Sequence, residues 1–169
     1  MADIELQMIR MLPRLRRFAR GLAGSVSAAD DLVQGACERA LRAADTWQEG
    51  TRFDSWIYRI LRNLWIDDRR RLRGEAGEHV LAAIVGDDGV RVAESRLAMA
   101  DVRRRIAALP DAQREILMLV CVEDVSYREA AEILGVPIGT VMSRLARART
   151  ALAEALGEGE VARAGGVSG

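Results

Sequence analysis

Gly139, Thr140, Ser143 and Arg147 fall on one side of a short helical segment, with Arg144 on its flank and no bulky hydrophobe among them. Groups of these types suit a DNA duplex. Arginine can bond bidentately to O6 and N7 of guanine, while serine and threonine reach phosphates or base edges. A second set, Trp47, Gln48, Thr51, Arg52 and Phe53, gathers around Gly50 where helical periodicity stops. Rings beside hydrogen-bonding groups can hold unpaired bases, since base–aromatic stacking contributes roughly 1 to 3 kcal/mol per base. The same two rings can instead fold back and plug a core, and residue types alone do not choose. A third set, Asp30, Asp31, Gln34 and Glu38, forms an outward strip that is either solvated or a surface for a partner protein. No nucleophile stands with a paired base, and neither a phosphate loop nor a metal-ligand cluster is present. Neither enzymatic activity nor a cofactor or metal is expected.

The elements that must position these groups are helical. Ser126 followed by Glu129 is a capping box, so a helix starts at Tyr127 and buries Ala130, Ile133 and Leu134. Gly135 supplies a sharp exit, and Pro137, pre-set in φ, suits the first turn of the next helix. There Val141, Leu145, Ala148 and Leu152 recur as one buried stripe opposite the polar face. Two short helices joined by a tight turn make a helix-turn-helix. Upstream, Ser95 to Leu109 is amphipathic, and Pro110 with Asp111 opens a supporting helix that turns Ile116, Leu119 and Val120 inward.

The N-terminal half repeats the pattern. From Ile4 to Leu22 the residues Met8, Met11, Leu15, Phe18 and Leu22 keep helical spacing, with Pro13 starting or kinking the helix. Ser27, with Asp30 three residues on, is expected to cap a second helix that buries Leu32, Val33, Ala36, Cys37, Ala40 and Leu41. Ser55 to Arg71 forms a long third helix with Ile57, Ile60, Leu61 and Leu64 inward. Arg59, Arg62 and Asn63 lie on its remaining surface, and the interleaved Trp56, Tyr58 and Trp65 are suggestive of nucleic-acid binding.

With 169 residues the chain is long enough for two small domains or one medium one, and with half of them apolar and 4% aromatic it suits an all-α fold. The division is residues 1–73, a flexible acidic linker over 74–95, a helix-turn-helix domain over 96–156, and a disordered tail over 157–169. Each half has its own amphipathic helices, and the linker has little to fix one against the other. Separate folding is expected. The net charge of zero conceals fourteen arginines against ten acids in residues 1–73, while residues 74–95 hold one arginine against five acids. Cys37 and Cys121 read as buried thiols, and the lone His79 has no cysteine or histidine near it with which to bind metal. No apolar run approaches the ~20 residues of a membrane span. The charged N-terminus lacks a signal-peptide core, and a cytoplasmic protein without membrane insertion is expected.

With all segments placed, the chain resembles the extracytoplasmic-function (ECF) RNA polymerase sigma factors of the sigma-70 family over almost its full length. AADDLVQGACERAL resembles their region 2.2 helix, FDSWIYRILRNLWIDDRRR regions 2.3 and 2.4, and LPDAQREILMLVCVEDVSYREAAEILGVPIGTVMSRLARAR region 4. The resemblance implies docking on the β′ clamp helices of core RNA polymerase through Asp30, Asp31, Leu32, Gln34 and Glu38. It implies recognition of the −10 promoter element by Trp47, Gln48, Thr51, Arg52, Phe53, Arg59 and Asn63. Duplex reading of the −35 element would fall to Arg128, Thr140, Ser143, Arg144 and Arg147. It further implies an anti-sigma factor as a partner, and a linker threaded along a basic polymerase channel. Gly35 departs from the family, which usually has an acidic residue there. Two rival readings are a helix-turn-helix regulator with an N-terminal sensing domain and a helical adaptor that binds only protein.

Overall fold

The computed structural model describes residues 2–76 and 94–164. Among them every regular element is helical. Most of the linker, with His79, lies outside the described residues.

Helix α1, Ala2–Ala23, runs through Pro13 without interruption. Proline removes the amide that would reach the Ile9 carbonyl. Ile9 is 63% exposed, so water can supply that donor. Gly24 ends α1 at φ 77°. Helix α2, Val26–Arg42, is then capped by Ser25, whose Oγ accepts from the Ala28 amide at 3.2 Å. The cap is therefore two residues upstream of Ser27, because Ser25 is the first extended residue after the glycine turn. A single 3₁₀ turn, Ala44–Thr46, leads to the loop, and α3 spans Phe53–Ala76. Leu15, Phe18, Leu22, Ile57, Tyr58 and Leu61 are fully buried between these helices. Each such side chain contributes roughly 1.5 to 3 kcal/mol relative to exposure. Tyr58 and Trp65 thus belong to the core rather than to a binding face, and Leu41 stays 43% exposed.

The C-terminal half comprises α4 (Glu94–Ala108), α5 (Asp111–Leu117), α6 (Tyr127–Leu134) and α7 (Ile138–Ala164). Helix α5 widens into a π turn over Met118–Val122, where the Glu123 amide donates to the Met118 carbonyl at 3.0 Å. Asp124 follows at φ 55°. These steps redirect the chain into α6. The Ser126–Glu129 capping box forms, and Gly135 ends α6 at φ 65°, left-handed geometry that glycine accepts without strain. Pro137 stands just ahead of α7, and its carbonyl accepts from Thr140 at 3.0 Å. The expected disorder of the tail is corrected in part: α7 continues to Ala164. Extending an existing helix avoids the nucleation cost.

The two halves do not stand apart. Met118 packs directly over Gly21, where an added Cβ would lie 2.2 Å from its Cε. Arg114 of α5 donates to the Leu22 carbonyl at 2.8 Å, and its burial, which lowers the guanidinium pKa, is only partly offset by Asp111. The buried residues of both halves form one continuous cluster. The expectation that nothing fixes one half against the other is corrected: the fastening comes from helix faces rather than from the linker. Cys121 is exposed, contrary to expectation, because the π turn rotates it outward; Cys37 is half-buried, and burial pushes its thiol pKa up.

Candidate nucleic-acid interface

Three surfaces carry the candidate residues. On the first, Val141, Leu145 and Ala148 are buried at 0 to 2% exposure and seat α7 on the domain. Their burial turns Gly139, Ser143 and Arg147 outward, with Thr140 and Arg144 half-buried at the edge. Ser143 Oγ donates to the Thr140 carbonyl at 3.1 Å, which orients it along the helix. Arg144 and Arg147 enter no ion pair among the described residues. Arg128, at the start of α6, is 87% exposed and only loosely paired with Glu132 at 3.9 Å. The outer face of this helix is polar and cationic, as a helix that enters a major groove requires. Ile138 and Met142 add exposed apolar groups that the polar pattern did not anticipate.

The second surface is a cavity of about 340 Å³ lined by Thr46, Trp47, Gln48, Thr51, Arg52, Ser55, Trp56, Arg59 and Glu132. Gly50 at φ 92° tightens the loop, and Thr51 Oγ1 donates to the Gln48 carbonyl at 2.7 Å. Phe53 is 5% exposed and belongs to the floor: it meets Trp47 edge-on at 5.8 Å and Trp56 at 5.6 Å. Its assignment to DNA is corrected, since the start of α3 turns that position into the core. Trp47 is only half-buried, and its Nε1 is a buried donor without a partner. Such an orphan donor is costly unless something supplies an acceptor. Arg52 forks onto Asp54 at 3.1 and 2.6 Å and also pairs with Glu129. Burial opposes ionisation of Asp54, but the Arg52 fork and the Ser55 amide outweigh it and hold its pKa below the ordinary value. Trp56, Arg59 and Asn63 share one face of α3 by their spacing. Trp56 joins the site because it stands one turn beyond Phe53. The sequence reading placed Arg59 and Asn63 in this site and Trp56 only among the interleaved aromatics of α3.

The third surface lies on α2. Asp30, Asp31, Gln34 and Glu38 are all exposed, and Gln34 donates to Glu38 at 3.2 Å one turn on. Leu32 is corrected: at 5% exposure it packs inward with Ala29, Val33 and Ala36 and holds the helix rather than meeting a partner. At Gly35 a Cβ would sit 3.4 Å from Leu64 Cδ1, an ordinary contact, so this position lies where α2 meets α3. Among the described residues no group of three or more metal-ligating side chains occurs, and no helix is long and apolar enough to cross a membrane.

Comparison with known proteins sets these surfaces in context. Residues 8–75 match the family model for sigma-70 region 2, and residues 99–152 match that for sigma-70, region 4. The ECF RNA polymerase sigma factor EcfG of Rhodopseudomonas palustris is 37% identical over 88% of this chain and 82% of its own. The ECF RNA polymerase sigma factor SigW of Bacillus subtilis is 32% identical over 80% of this chain and 79% of its own. Among solved structures, the sigma factor RpoE in complex with the anti-sigma factor NepR from Bartonella quintana superposes with a TM-score of 0.80. The identity is 30%, covering 92% of this chain and 98% of that one. CnrH in complex with the cytosolic domain of CnrY gives 0.71 at 25% identity, over 92% and 88% of the two chains.

Proposed function

The chain belongs to the ECF RNA polymerase sigma factors of the sigma-70 family, and from that membership we propose how its surfaces divide the work. The protein is an alternative sigma factor: it binds core RNA polymerase and directs transcription initiation at particular promoters. Its partners are core polymerase, promoter DNA and an anti-sigma factor, the last in keeping with RpoE bound to NepR and CnrH bound to CnrY. It is a regulatory protein acting on polymerase inside the cell. It performs no catalysis of its own and works in the cytoplasm, where polymerase and promoters are. A sensing domain is displaced by the region 2 match over residues 8–75.

Asp30, Asp31, Gln34 and Glu38 dock on the β′ clamp helices. The cavity between Trp47 and Arg59, with Asn63 beyond it, holds an unstacked −10 base, because aromatic faces are useless against an intact duplex. Thr140, Ser143, Arg144 and Arg147 read the −35 duplex, with Arg128 on the backbone. The observation that carries this division is a cavity walled by Trp47 and Trp56 in one half, beside an arginine face in the other half that enters no ion pair among the described residues. The first gives an unpaired base an aromatic wall, and the second gives a duplex bidentate donors.

The −35 assignment predicts a particular defect for Arg147→Ala. Binding to the preferred duplex should fall by ~1 to 3 kcal/mol, with discrimination relaxed at one base position. Titration of the full chain against a panel of single-base variants of that duplex measures both. An equal loss on every sequence would make Arg147 a phosphate contact.

A further inference from the structure

We infer that Ile138 and Met142 read thymine in the −35 duplex, through apolar contact with its C5-methyl group in the major groove. The inference deepens the −35 reading above and rests on it.

The polar face of α7 accounts for Thr140, Ser143, Arg144 and Arg147, and leaves two large apolar side chains in the open. Ile138 is 50% exposed and Met142 53%. A single exposed hydrophobe is ordinary on a protein surface. These two stand four residues apart, one above the other on the helix, and so form one patch. The fold does not use them: Val141, Leu145 and Ala148 seat α7 on the domain, and neither Ile138 nor Met142 joins the core.

The patch occupies the end of α7 that a recognition helix turns toward base edges, Ile138 being its first residue. Its neighbours on the outer face are small. A Cβ placed on Gly139 would meet nothing within 4 Å, and Ser143 and Ala146 are exposed on the same side. A base edge can therefore come close to the backbone there, with Ile138 and Met142 as an apolar rim. The major groove offers hydrogen-bonding groups at every base pair, but its methyl group belongs to thymine alone. Ile138 is branched at Cβ and stiff, which fixes one wall, whereas Met142 is unbranched and polarisable and can follow the methyl. Charge favours DNA over an apolar protein surface as the occupant. The same helix carries Arg144 and Arg147, which enter no ion pair among the described residues, and Arg128 is exposed at the start of α6. These guanidinium groups attract a polyanion, and an apolar cover would desolvate them without a partner.

The test uses holoenzyme assembled from core RNA polymerase and the full chain, on promoter duplexes taken from its mapped start sites. Thymines of the −35 element are replaced one at a time by uracil, which loses the methyl and keeps the pairing and the O4 acceptor. Wild type should bind at least one of these duplexes about fourfold more weakly, the worth of one buried methyl group. Ile138→Ala combined with Met142→Ala should weaken binding to the thymine duplex by at least that factor and lose almost nothing more to uracil, because both changes remove the same contact. Its helical circular dichroism and its binding to core polymerase without DNA should stay as in wild type. A −35 element without thymine in either strand would overturn the methyl contact. So would equal affinity for every uracil duplex while Arg147→Ala still weakens binding, and in both cases the −35 reading would stand. Full sensitivity to uracil in the double variant would overturn the assignment to these two residues. Weaker binding of the double variant to core polymerase without DNA would give the patch to polymerase and overturn the inference. Affinity indifferent to Arg147→Ala and to every base change in the element would overturn the −35 reading itself, and this inference with it.

Discussion

Asp30→Arg combined with Asp31→Arg should reduce affinity for core RNA polymerase by about two orders of magnitude or more, since like charge brought face to face across an interface costs several kcal/mol. Both residues are exposed on α2, while the buried side of that helix is Ala29, Leu32, Val33, Ala36 and Ala40. The fold should therefore survive, and thermal unfolding should move little. Competition against labelled wild-type protein for a fixed amount of core enzyme measures the loss. Binding within threefold of wild type would place the polymerase contact elsewhere.

The second large effect concerns Trp47. In the assembled holoenzyme, Trp47→Ala should lose ~1 to 3 kcal/mol of binding to a −10 non-template oligonucleotide and leave binding to core polymerase unchanged. Trp47→Phe should retain part of the stacking. Phe53→Ala should behave differently. That ring is 5% exposed beneath the cavity, so its removal should appear chiefly as a stability loss of ~3 to 5 kcal/mol. Oligonucleotide titrations beside thermal melts separate the two outcomes. Equal oligonucleotide losses for Trp47→Ala and Phe53→Ala at equal stability would return both rings to one role.

What the sequence disclosed and what it concealed follow from the range of the interactions involved. The helix-turn-helix was legible because its determinants are neighbours: Ser126 caps Glu129, Gly135 turns left-handed, and Val141, Leu145 and Ala148 set which side of α7 faces out. Trp47 and Phe53 were not separable, because both flank the same glycine and only the entry of Phe53 into α3 decides that one is floor and the other wall. Leu32 fell within a polar strip by motif but on the buried side by periodicity, and periodicity prevailed. Glu123 was invisible as a fastening. Its partners Arg14 and Arg17 lie more than a hundred residues away, and the π turn that aims it has no signature in local composition. Arg14, Arg17, Arg52, Arg62, Arg69 and Arg73, which read as solvated or DNA-facing, pair in this arrangement with acids of the other half.

The central claim, that this chain programs polymerase to start at particular promoters, is tested most directly by in vitro transcription. Core RNA polymerase would be incubated with genomic fragments in the presence and absence of the full-length protein, and the 5′ ends of the transcripts mapped. The account predicts start sites that appear only with the protein, that share two upstream elements spaced for the two domains, and that disappear with Asp30→Arg combined with Asp31→Arg. Identical start sites with and without the protein, under conditions where it binds core polymerase, would contradict it.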